Sequence, residues 1–249
     1  MLRPYGAISP LPTTGAQHAR LPTCAASRRS RVRKRSATPQ SRYAAIPLRC
    51  NPRIRGLLRR EVLVMRFAAT ELSGPVVVEL EPHTDERGTF ARLFCREEFD
   101  VQGLDPAVAQ VNLASSARAG TVRGLHYQAE PMAESKLVRC VRGSLFDVAV
   151  DVRPASPTYL RHVVVELTAR SLRALYVPTG FAHGYQTCAD DTEILYLTSQ
   201  LYSPRHERGL RHDDPALAIS WPLPVSVISD KDARWPLVVD DHAELGQAR

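Results

Sequence analysis

Residues 137–151 read Leu-Val-Arg-Cys-Val-Arg-Gly-Ser-Leu-Phe-Asp-Val-Ala-Val-Asp, two runs of strand-forming residues joined by Gly143-Ser144. Apolar and β-branched side chains suit a pleated, half-buried surface, and a glycine-containing pair suits a tight turn, so the spacing predicts a β-hairpin. In the second run, alternation puts Asp147, Ala149 and Asp151 on one face and Phe146, Val148 and Val150 on the other. Outward from this stretch the same grammar repeats. Val76–Leu80 precedes the turn-rich Glu81–Gly88, and Arg153–Thr158, with two prolines, breaks the chain before His162–Leu167. Arg173–Val177, the turn Pro178-Thr179-Gly180 and Thr192–Thr198 follow. Helical patterning is confined to Arg96–Gln102 and the C-terminal end. Many short strands of similar spacing with little helix predict an antiparallel sandwich or barrel.

The 249 residues are 44% hydrophobic and 24% charged, the balance of a globular chain. Apolar runs stop at about half a dozen residues, against the roughly 20 that a membrane-spanning helix needs, so no such helix is expected. The net charge of +7 divides unevenly. Residues 1–64 hold 14 of the 33 Lys and Arg but one acid, Glu61, and so carry +13, whereas residues 65–249 carry −6. The basic stretch also holds seven of the 19 prolines and lacks apolar periodicity, so it is expected to be a disordered extension. Its composition fits a transit peptide or a nucleic-acid-binding arm. The preferred expectation is a start codon placed ahead of Met65, with one domain over 65–249. No secretory signal is expected, because no apolar core follows the basic residues. The five cysteines form no CxxC pair or metal spacing, and a reducing cytoplasm is the simplest fit.

Chemistry concentrates in a few segments. Gly120–Gln128 carries Arg123 and His126 on one strand; strict alternation sets them on opposite faces, which a bend at Gly124 would change. Lys136 opens an otherwise apolar strand, either as an edge residue or as a cation over a developing oxyanion. His183 stands between glycines after a proline-containing turn, where a solvent-exposed ring is the commoner outcome. Tyr196 shares a face with Ile194 and is either a satisfied core phenol or an acid. Asp232 lies in a polar loop. A metal is not expected: Gln128 stands where an HxH pair needs its second histidine, and His183 has glycine-flanked surroundings. Residues 65–249 have no GxGxxG, Walker or GxSxG pattern, which leaves cofactor-free acid–base chemistry by His, Tyr and Lys.

In order along the chain, Asp85-Glu86-Arg87-Gly88, Gln110-Val111-Asn112, Arg123–Gln128, Lys136–Arg139, Phe146–Asp151, Ser156-Pro157-Thr158, Gly180–Gly184, Glu193–Tyr196, Tyr202-Ser203-Pro204, Asp213–Leu217 and Ser229–Asp232 resemble the dTDP-4-dehydrorhamnose 3,5-epimerase family, sugar-nucleotide epimerases of the cupin superfamily. The resemblance spans roughly residues 72–238 and leaves residues 1–64 without a counterpart. It implies a cupin-type jelly-roll of two packed antiparallel sheets with a few short helices, and a site in the barrel's mouth. The implied substrate is a nucleoside-diphospho-4-keto-6-deoxy sugar, epimerised at C3 and C5 without a cofactor. His126 falls on the general base, Asp232 on the carboxylate that orients it, Lys136 with Arg123 on the cations that balance charge on the C4 oxygen, and Tyr196 on the acid.

Binding positions follow the same resemblance. Arg87 matches a diphosphate contact and Phe90 a ring in the nucleotide site; Gln110, Val111, Asn112, His183, Glu207 and Lys231 fall on ligand-contacting positions; Tyr202 matches the aromatic stacked on thymine. A homodimer is implied, with Arg87 and Phe90 reaching the neighbour's site. The chain departs from the family at Arg92, where many members carry Glu, and this bears on base preference. The alternatives are a mono-epimerase acting at C3 or C5 only, and a sugar-nucleotide-binding cupin without activity. Nucleic-acid binding through the basic extension would show a steep salt dependence lost on deleting residues 1–64, and is disfavoured.

Overall fold

The computed structural model describes residues 65–238; the expectations for the basic extension concern residues outside this range. In chain order the elements are β1 (Arg66–Ala69), β2 (Val76–Glu79), β3 (His83–Asp85), β4 (Gly88–Phe90), α1 (Arg96–Val101), β5 (Gln110–Ser116), β6 (Val122–Gln128), β7 (Lys136–Arg142), β8 (Ser144–Asp151), β9 (His162–Thr168), β10 (Arg173–Val177), β11 (Phe181–Thr187), β12 (Thr192–Thr198), β13 (Glu207–Gly209) and α2 (Asp230–Ala233). A six-stranded sheet runs β1-β2-β10-β7-β12-β5 and a five-stranded sheet runs β13-β6-β11-β8-β9. Neighbours within both sheets are antiparallel. The two sheets pack face to face as the expected jelly-roll.

The alternation along β8 explains its burial on both faces. Leu145 and Ala149 point between the sheets, where they meet Val77, Val138, Cys140 and Ile194 of the six-stranded sheet. Val148 and Val150 point outward and are covered by Leu217 and Val238 from the C-terminal segment. On the far side of the six-stranded sheet, Phe99 of α1 packs on Val78, Leu137 and Tyr176. The central sheets are thus each covered on their outer faces as well, and the barrel interior is left free for a site at one end.

The hairpin expected over 137–151 does not form. Its two strands are present, but β7 pairs with β10 and β12 while β8 pairs with β11 and β9. Gly143 is a corner between the sheets, at φ 75°, where an added Cβ would collide with Thr192 Oγ1. A second local feature decides the site. His126 of β6 pairs with His183 of β11, yet Arg123 pairs with Tyr185, so three steps on one strand match two on the other. The extra residue is a bulge at Gly124, which has φ 112°; a Cβ there would sit 2.5 Å from Gly184 Cα and 2.7 Å from the His183 carbonyl oxygen. Leu125 is turned into the outer core, and Arg123 and His126, which strict alternation sets apart, both face the barrel interior.

Candidate active site

Two adjoining cavities of about 430 and 420 Å³ open into the barrel. His126, Lys136, Tyr196 and Lys231 line both, so the groups expected to do chemistry stand where the cavities meet. His126 comes from the five-stranded sheet, and Lys136 and Tyr196 from the six-stranded sheet that faces it. The imidazole and the phenol therefore approach the space between the sheets from opposite walls.

The imidazole is held by Asp232. Its Nε2 lies 2.7 Å from Asp232 Oδ1, and Asp232 is 4% exposed. Ser229 caps α2, its hydroxyl accepting the Asp232 amide at 3.1 Å, and this fixes the carboxylate beneath β6. The Gly124 amide donates to Asp232 Oδ2 at 3.1 Å, a bond that the bulge makes available. Burial pushes the Asp232 carboxyl up, but the bonds from His126, Gly124 and Ser229 outweigh it and hold the group below its ordinary range. It is therefore an ionised acceptor at neutral pH.

Lys136 is fixed from two sides. Its ammonium donates to the His126 carbonyl oxygen at 3.2 Å and lies 3.2 Å from Glu134 Oε1. Arg123, on β6 with His126, donates across to the Ser115 carbonyl of β5 at 3.2 Å, which draws its guanidinium toward the six-stranded sheet. Tyr196 packs against the inter-sheet core beside Ile194, as alternation requires. Burial raises the Tyr196 phenol, Glu134 adds to that, and Arg123 opposes it, leaving the group above the ordinary tyrosine value. It carries its proton throughout the neutral range.

The second cavity is lined by other residues that the resemblance singled out for binding. Tyr202 donates through its hydroxyl to Glu207 Oε2 at 2.8 Å, Lys231 bonds Glu207 Oε1 at 2.7 Å, and the Tyr202 amide donates to Gln110 Oε1 at 2.9 Å. Gln110 and Asn112 both line this cavity. Val111 does not contribute a side chain to it: on β5 it alternates with those two and is 59% exposed on the outer face. Arg87 and Phe90 are also elsewhere. They belong to the separate hairpin β3–β4, where Arg87 pairs with Asp85 and Phe90 is 66% exposed, and neither lines either of these two cavities. Arg92 turns to α1, with Nη1 2.9 Å from Glu98 Oε1. It lines neither cavity.

His183 is on strand β11, not in an exposed turn, and is buried with Nε2 2.7 Å from Asp147 Oδ1. The turn residues Pro178–Gly180 end before the strand begins, and Gly184 provides the close approach to β6. Asp147 is wholly buried. Burial pushes its carboxyl up against the opposing pull of His183, and the net direction is upward. Alternation along β8 puts Asp147 on the face of Ala149 and Asp151, and no local pattern assigns it to the site. Glu134 and Tyr185 line the cavities although no local motif points to them, and the Trp235 ring meets the His126 ring edge-on at 6.4 Å. No periodicity marks Glu134 or Trp235, which reach the site from loops. Among the described residues, no three His, Cys, Asp or Glu side chains gather as a metal site.

The arrangement provides a carboxylate-supported base, a cation and a phenolic acid around one cavity, with a second cavity beside it. The family model described as dTDP-4-dehydrorhamnose 3,5-epimerase matches residues 69–240. A protein of that name from Sinorhizobium fredii is 45% identical over 173 residues, covering 69% of this chain and 89% of its own. A crystal structure of the Legionella pneumophila 3,5-epimerase in complex with dTDP-4-keto-L-rhamnose is 36% identical, with a TM-score of 0.68 over 73% of this chain and 96% of that one. A 3'-monoepimerase from Streptomyces bikiniensis in complex with dTDP-quinovose is also 36% identical, with a TM-score of 0.65 over 71% of this chain and 89% of that one. The match takes in every strand of both sheets but most of β1, together with α2 and its Asp232, and the chain belongs to the dTDP-4-dehydrorhamnose 3,5-epimerase family.

Proposed function

We propose that this protein is an isomerase that inverts C3 and C5 of dTDP-4-dehydro-6-deoxy-D-glucose, giving dTDP-4-dehydro-L-rhamnose. The observation that carries the reading is the opposition of His126 and Tyr196 across one cavity, each on its own sheet. The C4 ketone acidifies the protons on both neighbouring carbons, so each inversion needs a base on one face, a stabilised enolate, and an acid on the other. Ionised Asp232 can only accept, so the His126 Nε2 carries the hydrogen and Nδ1 is left as the base. Proton transfer to His126 leaves an imidazolium that Asp232 stabilises. The enolate oxygen collects its charge beside Lys136, with Arg123 reaching in from β6. Tyr196 then returns a proton from the opposite side, which inverts the carbon.

The nucleotide takes the second cavity, with Tyr202 offering a ring to the thymine and Lys231 a charge to the diphosphate. The direct test is proton NMR of the 4-keto sugar nucleotide in D₂O with the full chain. Deuterium at both C3 and C5, with L-rhamnose trapped by a reductase, is the expected result. Exchange at one carbon only would make this protein a mono-epimerase, like the Streptomyces bikiniensis enzyme to which it is also similar. Absence of exchange at either carbon would overturn the activity.

The site is completed by a second copy. Val111 and Leu113 present apolar side chains, 59% and 65% exposed, on the outer face of β5, and Phe90 projects from the β3–β4 hairpin. Exposed apolar surface of this kind fits association, and a two-fold pairing would deliver the hairpins reciprocally. Arg87→Ala and His126→Ala are then each expected to lose activity as pure proteins. Unfolding and refolding the two together in equal amounts should restore about a quarter of the wild-type sites, since half the dimers are mixed and each mixed dimer has one intact site. No recovery on mixing would place Arg87 outside the partner's site.

A further inference from the structure

We propose that Glu134 is a positioning residue for the reaction, fixing the Lys136 ammonium at the C4 oxygen and holding a negative charge beside the Tyr196 phenol. The inference rests on the epimerase reading above. Glu134 lies in the loop just before β7, and its side chain is 9% exposed, as a carboxylate seldom is without a purpose in the fold or the site. Both oxygens are used. Oε1 faces Lys136 Nζ at 3.2 Å, and Oε2 accepts from Gln128 Nε2 at 3.1 Å. Gln128 in turn accepts the Ser203 amide at 2.5 Å through Oε1 and donates to the Leu201 carbonyl at 3.1 Å. The carboxylate is thereby locked between the end of β6 and the loop that carries Tyr202, and its position follows from the frame of the barrel.

Such a lock matters most for a lysine. The ammonium sits on four rotatable bonds, and a charge-assisted bond in a dry site selects one of its positions. With the His126 carbonyl as its second acceptor, Lys136 is aimed at the space between His126 and Tyr196. The charge acts on the phenol as well. Around Tyr196 stand the cations Arg123 and Lys136 and, at the second cavity, Lys231, which is paired with Glu207; Asp232 is taken by His126. Glu134 pairs with Lys136 and lines the second cavity together with Tyr196, and it favours the protonated phenol, with Arg123 opposing it. A negative group beside a diphosphate site does nothing for substrate affinity, so its effect belongs to turnover.

The test is the pH dependence of epimerisation by Glu134→Gln, which keeps the shape and loses the charge. The expected result is a kcat lower by about tenfold with KM unchanged or lower, and an alkaline limb moved to lower pH by about one unit. The sign follows from the charge: without Glu134 the phenol loses its proton at lower pH, and the acid is lost sooner. Glu134→Asp keeps the charge but withdraws it by one methylene, so its kcat falls while its alkaline limb stays near that of wild type; this variant also carries the test if the glutamine variant folds poorly. An alkaline limb unmoved in Glu134→Gln, or a raised KM with kcat retained, would overturn the inference while wild-type exchange leaves the epimerase reading standing. Wild type without exchange would remove both.

Discussion

His126→Ala loses solvent exchange at C3 and C5 together, with kcat lowered on the order of 10³-fold or more, the range a positioned general base supplies. Both carbons flank the same ketone, and the one imidazole supported by Asp232 at the junction of the cavities serves both. The second histidine is a poorer candidate, because its partner Asp147 is wholly buried with its carboxyl pushed up, a weaker support for an imidazolium than Asp232, which is held below its ordinary range. The loss is chemical and not structural: the His126 side chain is partly exposed, and the strand pairing of β6 is carried by backbone. Thermal unfolding of the variant should therefore stay close to wild type while deuterium uptake vanishes. Asp232→Asn should be less severe at first sight, since the imidazole remains. It nevertheless removes the ionised acceptor, offers the Gly124 amide a poorer partner, and permits the wrong tautomer. Persistent exchange in His126→Ala at more than a few per cent of the wild-type rate would transfer the base to another group.

The strands of this fold were legible because apolar alternation reports burial directly, and β8 is the clearest case. What alternation does not report is which strand lies next to which. The residues of β7 and β8 read as a hairpin, since a glycine pair between two strand-like runs usually reverses the chain within one sheet. In a sandwich the same glycine serves equally as a corner, and the choice is made by β10, β11 and β12, far away in sequence. The site shows the same division. Resemblance identified His126, Lys136, Tyr196 and Asp232 from local motifs, and these four come together in the barrel. Gly124 was the local sign that Arg123 could join them, but the bulge itself depends on Gly184 of another strand, which leaves room for it. Glu134 escaped notice for a related reason, since a carboxylate before a strand reads as a solvated loop until Gln128 and Lys136 close over it.

Tyr196→Phe should separate the two halves of the reaction. The substitution removes one oxygen from a ring that packs beside Ile194, so the barrel should keep its stability, and the inter-sheet core is otherwise unchanged. Abstraction by His126 does not need the phenol, and deuterium should still enter the substrate from that face, returned by the same imidazole with retention of configuration. Inversion does need it, because a proton must come from the wall of β12, opposite β6. Net epimerisation is therefore expected to fall by about 10²- to 10³-fold while exchange continues measurably. The pH profile offers an independent check. Burial and Glu134 keep the phenol protonated beyond the ordinary tyrosine range, against Arg123, so wild-type inversion should hold its rate through neutral pH and decline only in strong alkali. An acid whose pKa is raised is present below that pKa and lost above it, and Tyr196→Phe should lack the part of the alkaline decline that comes from this loss. Inversion at the wild-type rate in Tyr196→Phe would show that water or another side chain protonates the enolate, and the opposition of the two sheets would then have a binding role and not a stereochemical one.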